Sequence, residues 1–227
     1  KRRAVTWKTK YRSFYYKEAP EPANIVLKVD ETALLVIDVQ ETYLAPSSKV
    51  EEQQRWKPFL ERMNKTVIPN TATLLQTCRS REIEVLFARI ACLKEDGRDR
   101  SISQKKPGWN YLLMPRESKE SQLVPELAPV GDEIVLCKTT DSAVTGTNLR
   151  LILHNMGIRN VIVAGIFTDQ CISSTVRSLA DESFDVIVVE DCCAAGTDEL
   201  HDKELEIINM IYCHVVSLKE VKTFLTK

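Results

Sequence analysis

The sequence has no run of about 18 apolar residues, which excludes a membrane-spanning helix. It also has almost no net charge: 31 Lys and Arg against 32 Asp and Glu leave −1 at pH 7. No global field therefore draws the chain to nucleic acid or to an anionic membrane. Its 7 cysteines are odd in number, none with the CxxC spacing of a metal site. Cys192 and Cys193 are adjacent and the rest are scattered. A secreted disulfide framework is thereby disfavoured, and a reducing, cytoplasmic setting is the expectation. No apolar signal-peptide core follows the basic start Lys1-Arg2-Arg3, Lys8, Lys10 and Arg12, which reads as a solvated arm. The chain begins with Lys rather than Met, so an upstream targeting segment is left open. Internal repeats and low-complexity segments are absent.

What is present is ordinary globular material. The 227 residues are 44% hydrophobic and 28% charged, enough for a sizeable core in one α/β domain. The expected division is an N-terminal arm over 1–31 and a single domain over 32–227. The arm carries Trp7, Tyr11, Phe14, Tyr15 and Tyr16 between charged residues, with Pro20 and Pro22. That many aromatics predict packing on its own domain or on a neighbouring subunit, with residues 25–27 extended.

Five short apolar runs organise the remainder. Residues 33–38 (ALLVID), 84–90 (EVLFARI), 133–138 (EIVLCK), 161–164 (VIVA) and 185–191 (DVIVVED) read as strands buried on both faces of a parallel sheet. Residues 214–216 add a sixth, short strand. Helical spacing is expected over 59–80 with a distortion at Pro69, over 147–156 with Gly157 as its end, and over 173–182, 199–212 and 218–225. Residues 118–127 suggest a short helix. Residues 39–58 read as polar and irregular, and 91–115 as a long charged loop, a kind that is often functional. Alternating strands and helices predict βαβ units and a mostly parallel sheet with helices on both faces.

Ligands of open α/β sheets sit beyond the carboxyl ends of the strands. Three runs deliver Asp38, Lys138 and Cys171 to that edge. A thiol needs a base to lose its proton, and Asp38 can serve. A carboxylate and a thiolate in one small site repel, and a lysine between them offsets both charges. The segment 161–171 also brings Cys171 to the start of a helix, where unpaired N–H groups favour a thiolate. Arg89 and Asp191 end strands as well, so placement alone leaves purely structural roles open.

Three blocks go further. ALLVIDVQ (33–40), KTTDSAVTGTNL (138–149) and VIVAGIFTDQC (161–171) together resemble the signature blocks of the isochorismatase-like cysteine hydrolases, over roughly residues 30 to 218. The resemblance implies a three-layer, Rossmann-like α/β fold with six strands in the order 3-2-1-4-5-6. It implies an Asp38–Lys138–Cys171 triad, a cis peptide between Ile166 and Phe167, and an oxyanion hole from the N–H groups of Phe167 and Cys171. Gln40 and Trp109 are candidate substrate contacts. Nicotinamidases of the superfamily place an Asp and His residues after the second strand to bind a metal. Here His154, His201 and His214 all follow Lys138, so no metal and no other cofactor are expected. Glu95, Asp96 and Asp99 are the one carboxylate alternative. His154 is expected at the surface or as a helix cap, and His201 at a solvated helix start, with an approach to the site beyond the fifth strand as the alternative.

The expected activity is hydrolysis of a C–N bond in a small amide, carbamoyl or ureido compound through a Cys171 thioester. The alternatives are isochorismatase chemistry on a vinyl ether and a catalytically silent binding protein on the same fold. The expected partners are a small-molecule substrate and further copies of the chain in a dimer or tetramer.

Overall fold

A computed structural model describes residues 5–226. Six strands form one parallel sheet: β1 (Thr32–Ile37), β2 (Glu84–Ile90), β3 (Ile134–Lys138), β4 (Asn160–Ile166), β5 (Asp185–Ala194) and β6 (His214–Val216). Their order across the sheet is β3-β2-β1-β4-β5-β6, and every pairing is parallel. The order reverses at β1, which pairs with both β2 and β4. The carboxyl ends of those strands therefore border the crevice where such folds bind ligands.

The strands read as continuous apolar runs because both faces are covered. Leu34, Val36, Val85, Phe87, Ile162 and Ala164 share one core with helices α2 (Val50–Arg62), α3 (Ile68–Ser80) and α7 (Leu218–Phe224). The alternate residues Ala33, Leu35, Ile37, Leu86, Val161 and Val163 share the other with α4 (Leu149–Asn155), α5 (Ser173–Asp181) and α6 (Asp198–Ile208). Strand period 2 thus sorts neighbouring residues into two separate cores, giving three layers.

Three local readings differ from the structure. A short helix α1 (Glu41–Leu44) and then α2 occupy the stretch expected to be irregular. Helix α2 is a surface helix with Phe59 as its buried residue, so its first turns show no apolar stripe, and Pro58 lies inside it. The helix expected over 59–80 is two helices joined by a wide turn at Met63–Val67, with Pro69 in the first turn of α3. A proline has no N–H and clashes with the carbonyl four residues back, which favours a widened turn just before it. Residues 118–127 hold two 3₁₀ turns, Lys119–Ser121 and Pro125–Leu127, rather than a helix.

The arm folds back on its own domain. Trp7 is buried edge-on against His214 and Phe224, with ring centres 5.3 and 5.6 Å away. Lys10 pairs with Glu190 at 2.7 Å, and Tyr11 donates to Glu190. Leu27–Lys28 pairs in parallel with Leu225–Thr226, fixing the last part of the arm to the C-terminal segment. Phe14 and Tyr15 remain exposed. The basic cluster Lys1-Arg2-Arg3 lies outside the described residues.

Candidate active site

β1 ends at Ile37, and the next residue turns sharply: Asp38 has φ +56° and donates its N–H to the Ala88 carbonyl at 2.9 Å. Lys138 is the last residue of β3. After β4 the chain passes the cis peptide Ile166–Phe167 and enters a wide helical turn, Thr168–Ile172, continuous with α5. Cys171 lies in that turn, and the Phe167 carbonyl closes it by accepting from the N–H groups of Gln170 and Ile172.

These elements bring the three expected residues together. The Lys138 Nζ lies 2.7 Å from Asp38 Oδ2 and 3.3 Å from Cys171 Sγ, and it donates to the Thr140 carbonyl at 3.1 Å. Asp38 and Lys138 are essentially inaccessible, and Cys171 is 6% exposed. A second carboxylate is near: Cys171 Sγ is 3.6 Å from Asp141 Oδ1, and Gln104 Nε2 donates to that same oxygen at 2.9 Å.

Burial decides the resting protonation. It raises the Asp38 pKa against the opposing pull of Lys138. Burial works against the Lys138 ammonium, but the charges of Asp38 and Cys171 outweigh it and hold its pKa above the ordinary lysine value. Burial, then the Asp38 charge, push the Cys171 thiol well above its ordinary value, although Lys138 pulls it down. A freely ionised thiolate is therefore not the resting state. The thiol keeps its proton beside a carboxylate made more basic by burial, so ionisation requires proton transfer within the site. The other buried thiols have no such arrangement; burial pushes Cys78 and Cys193 up to about 12.

Gln40, a candidate substrate contact, is instead taken up by backbone groups. It is fully buried, its Oε1 accepts from Ile90 N–H at 3.0 Å, and its Nε2 donates to the carbonyls of Ile90 and Ser121 at 2.9 and 2.8 Å. With both amide hydrogens committed, it ties the end of β1 to the end of β2. Trp109 is 79% exposed, beside the tiny hairpin strand Asn110–Tyr111. It borders a cavity that Phe167, Asp169 and Trp56 also line. The Phe167 ring sits among Tyr43, Trp56 and Phe59, with centres 5.2 to 6.0 Å away. Tyr43 belongs to the site too: its hydroxyl is raised well above its ordinary value by burial, then by the charges of Asp38 and Cys171. Tyr43 follows the Asp38 turn in a polar stretch with no distinguishing signal. Asp141 lies inside the block that begins at Lys138, and its position three residues on was the signal available.

Glu95, Asp96 and Asp99 do not gather into a site. Asp99 accepts from the N–H groups of Leu93 and Lys94, and Asp96 from that of Arg98. Among the described residues no three His, Cys, Asp or Glu side chains converge as metal ligands. His154 is exposed and stacks on Phe184 at 4.8 Å.

His201 corrects the reading of a solvated helix start. It is 2% exposed, with Nε2 3.0 Å from Arg62 Nη2 and Nδ1 2.7 Å from Thr168 Oγ1. A guanidinium only donates, so Nε2 accepts and Nδ1–H donates to the Thr168 hydroxyl. The ring thereby braces the turn that carries Cys171. Burial, then Arg62, lower the His201 pKa to about 3. Because the folded value lies below the unfolded one, this site's stability is complete above about pH 6.5 and is lost as pH falls toward 3. Gln can reproduce both hydrogen bonds without titrating. His201→Gln is expected to lose about 2 kcal/mol less than the parent between pH 7 and 5, measured by denaturant unfolding.

The isochorismatase domain model matches residues 32–220. The chain belongs to this family. Among curated relatives, the ureidoacrylate amidohydrolase of Acinetobacter baylyi is 28% identical over 192 residues, covering 80% of this chain and 78% of that protein. A probable inactive nicotinamidase of Arabidopsis thaliana is 28% identical over 174 residues, covering 75% of this chain and 84% of that protein. A cysteine hydrolase structure from Pseudomonas syringae superposes with a TM-score of 0.73 over 89% of this chain and 97% of that one, at 20% identity, which supports the fold. The chain is a hydrolase of the isochorismatase-like family on an α/β sheet with that family's strand order.

Proposed function

We propose that this isochorismatase-like hydrolase is an amidohydrolase of small carbamoyl or ureido compounds, working through a Cys171 thioester without a metal. The observation that carries the reading is the buried Lys138 ammonium held between Asp38 at 2.7 Å and Cys171 at 3.3 Å. The relatives named as ureidoacrylate amidohydrolases support the C–N bond as the target.

Asp38 accepts the Cys171 proton as Sγ attacks the substrate carbonyl carbon. Asp38 is the better base than Asp141: it is fully buried and its pKa is raised, whereas Asp141 is half-buried and already accepts from Gln104. The tetrahedral oxyanion is held by the N–H groups of Phe167 and Cys171, and the fixed turn keeps these donors from reorganising during the reaction. Asp38 returns the proton to the departing nitrogen, the C–N bond breaks, and ammonia or an amine leaves a thioester. Asp38 then takes a proton from water as its oxygen attacks the thioester, and Sγ leaves with that proton. Lys138 stays protonated throughout and balances whichever of its two neighbours carries negative charge.

The test is a side-by-side panel of ureido acids, carbamoyl amino acids, biuret, nicotinamide and isochorismate, with ammonia as the readout for the nitrogen compounds, pyruvate as the readout for isochorismate, and chelator present. Ammonia release from carbamoyl or ureido members is expected. Turnover of isochorismate alone would replace the reading with vinyl-ether hydrolysis, and no turnover of any member would favour a silent binding protein.

A further inference from the structure

Arg100 lies in the long loop after β2. It is 6% exposed, its Nη2 donates to Gln104 Oε1 at 3.3 Å, and its Nη1 is buried with no partner among the described residues. No carboxylate there lies within ion-pair distance of it. A buried guanidinium without a counter-charge is costly, and its place is not random. Gln104 bridges it to Asp141, whose Oδ1 is 3.6 Å from the Cys171 sulfur. The Tyr43 hydroxyl, electrostatically coupled to Asp38 and Cys171, feels Arg100 as well. The loop is pinned over the site: Ser101 N–H donates to the Thr139 carbonyl at 3.1 Å, and Thr140 Oγ1 donates to Ser101 Oγ at 3.0 Å.

We infer that Arg100 is a specificity residue whose free Nη1 receives a carboxylate of the substrate, so that the enzyme selects amide-bearing acids over neutral amides. The inference rests on the proposed function and narrows it. A guanidinium fork suits a carboxylate, and an incoming anion supplies the charge that the protein withholds. The Gln104 bridge sets the scale: the carboxylate sits a short chain away from the scissile carbonyl. Without Arg100, the carboxylates of Asp38 and Asp141 would repel an acidic substrate.

Two alkylating agents test this independently of any substrate. Iodoacetate carries a carboxylate and iodoacetamide is its neutral counterpart. The iodoacetate-to-iodoacetamide rate ratio at Cys171, scaled to that of a free thiol, is expected to be raised roughly 10-fold or more, the size of one charge-assisted hydrogen bond. Arg100→Met should return the ratio to the free-thiol value, and because both agents are read on the same variant, any general change in thiol reactivity cancels in the ratio. A parent ratio at or below the free-thiol value, or a ratio that Arg100→Met does not move, overturns the inference. Should Arg100→Met not fold, the parent decides it: propionate should protect Cys171 from iodoacetamide where propionamide does not, and equal protection or none overturns it. If ureido compounds are turned over, an acid and its carboxamide should differ mainly in KM. If none is, the proposed function fails while the alkylation ratio still judges Arg100.

Discussion

Cys171→Ala is expected to fold and to lose turnover by about 10³-fold or more, the scale for removing a nucleophile from residues that act as a unit. The sulfur is small and lies at the edge of the core, so its removal deletes little apolar contact. The backbone bonds that close its turn, Gln170 and Ile172 N–H to the Phe167 carbonyl, do not involve the side chain. The Asp38–Lys138 pair at 2.7 Å also survives without the sulfur. Ammonia release and thermal melting, measured on the same preparation, separate the two effects. A variant that melts like the parent and keeps a tenth or more of its turnover would show that Cys171 forms no covalent bond, and the general-base alternative through Asp38 or Asp141 would take its place. The result also separates the working enzyme from a silent relative, because a protein that never turned over has nothing to lose.

The strands were legible because burial on both faces leaves an unbroken apolar signature, and the strand-end residues Asp38 and Lys138 followed from it. The order 3-2-1-4-5-6 came from the three-block resemblance, and the register agrees with it. What escaped was set by contacts distant in sequence. His201 reads as a polar residue near a helix start, and Arg62 and Thr168, the residues that bury it, are 139 and 33 residues away. Gln40 follows the Asp38 strand and reads as a candidate substrate contact, but the carbonyls that occupy it lie 50 and 81 positions on. Arg100 carries no local mark at all in a loop rich in charge. Helix α2 was missed because it presents little apolar surface to the core. The lowered thiol pKa expected from a neighbouring lysine was the right pull but not the outcome, because full burial and the Asp38 carboxylate oppose it.

Gly165→Ala is expected to be the most damaging single-methyl change in the protein. Gly165 has φ +123°, a conformation that side chains other than hydrogen rarely adopt. A Cβ there would stand 2.0 Å from the Ile37 carbonyl oxygen and 2.8 Å from the Ile37 carbonyl carbon and nitrogen. These are backbone atoms of the neighbouring strand, paired with Gly165 itself, so no side chain can swing aside. Relief requires β1 and β4 to part at the point that positions Asp38 on one side and Phe167 on the other. Overpacking and backbone strain each cost about 1–3 kcal/mol, and at the upper end their sum reaches the lower end of an ordinary domain's stability of about 5–15 kcal/mol. Gly146→Ala is the control, since Gly146 also has positive φ, +75°, but nothing lies within 4 Å of its would-be Cβ. It should cost only about 1 kcal/mol from conformation alone. Denaturant unfolding of both variants decides the matter: Gly165→Ala should be insoluble or unfold at far lower denaturant, with activity lost even where folded protein is recovered. Equal midpoints for the two variants would mean that β1 and β4 separate cheaply, and the tight approach at Ile37 would then not be what holds Asp38 and Phe167 in place.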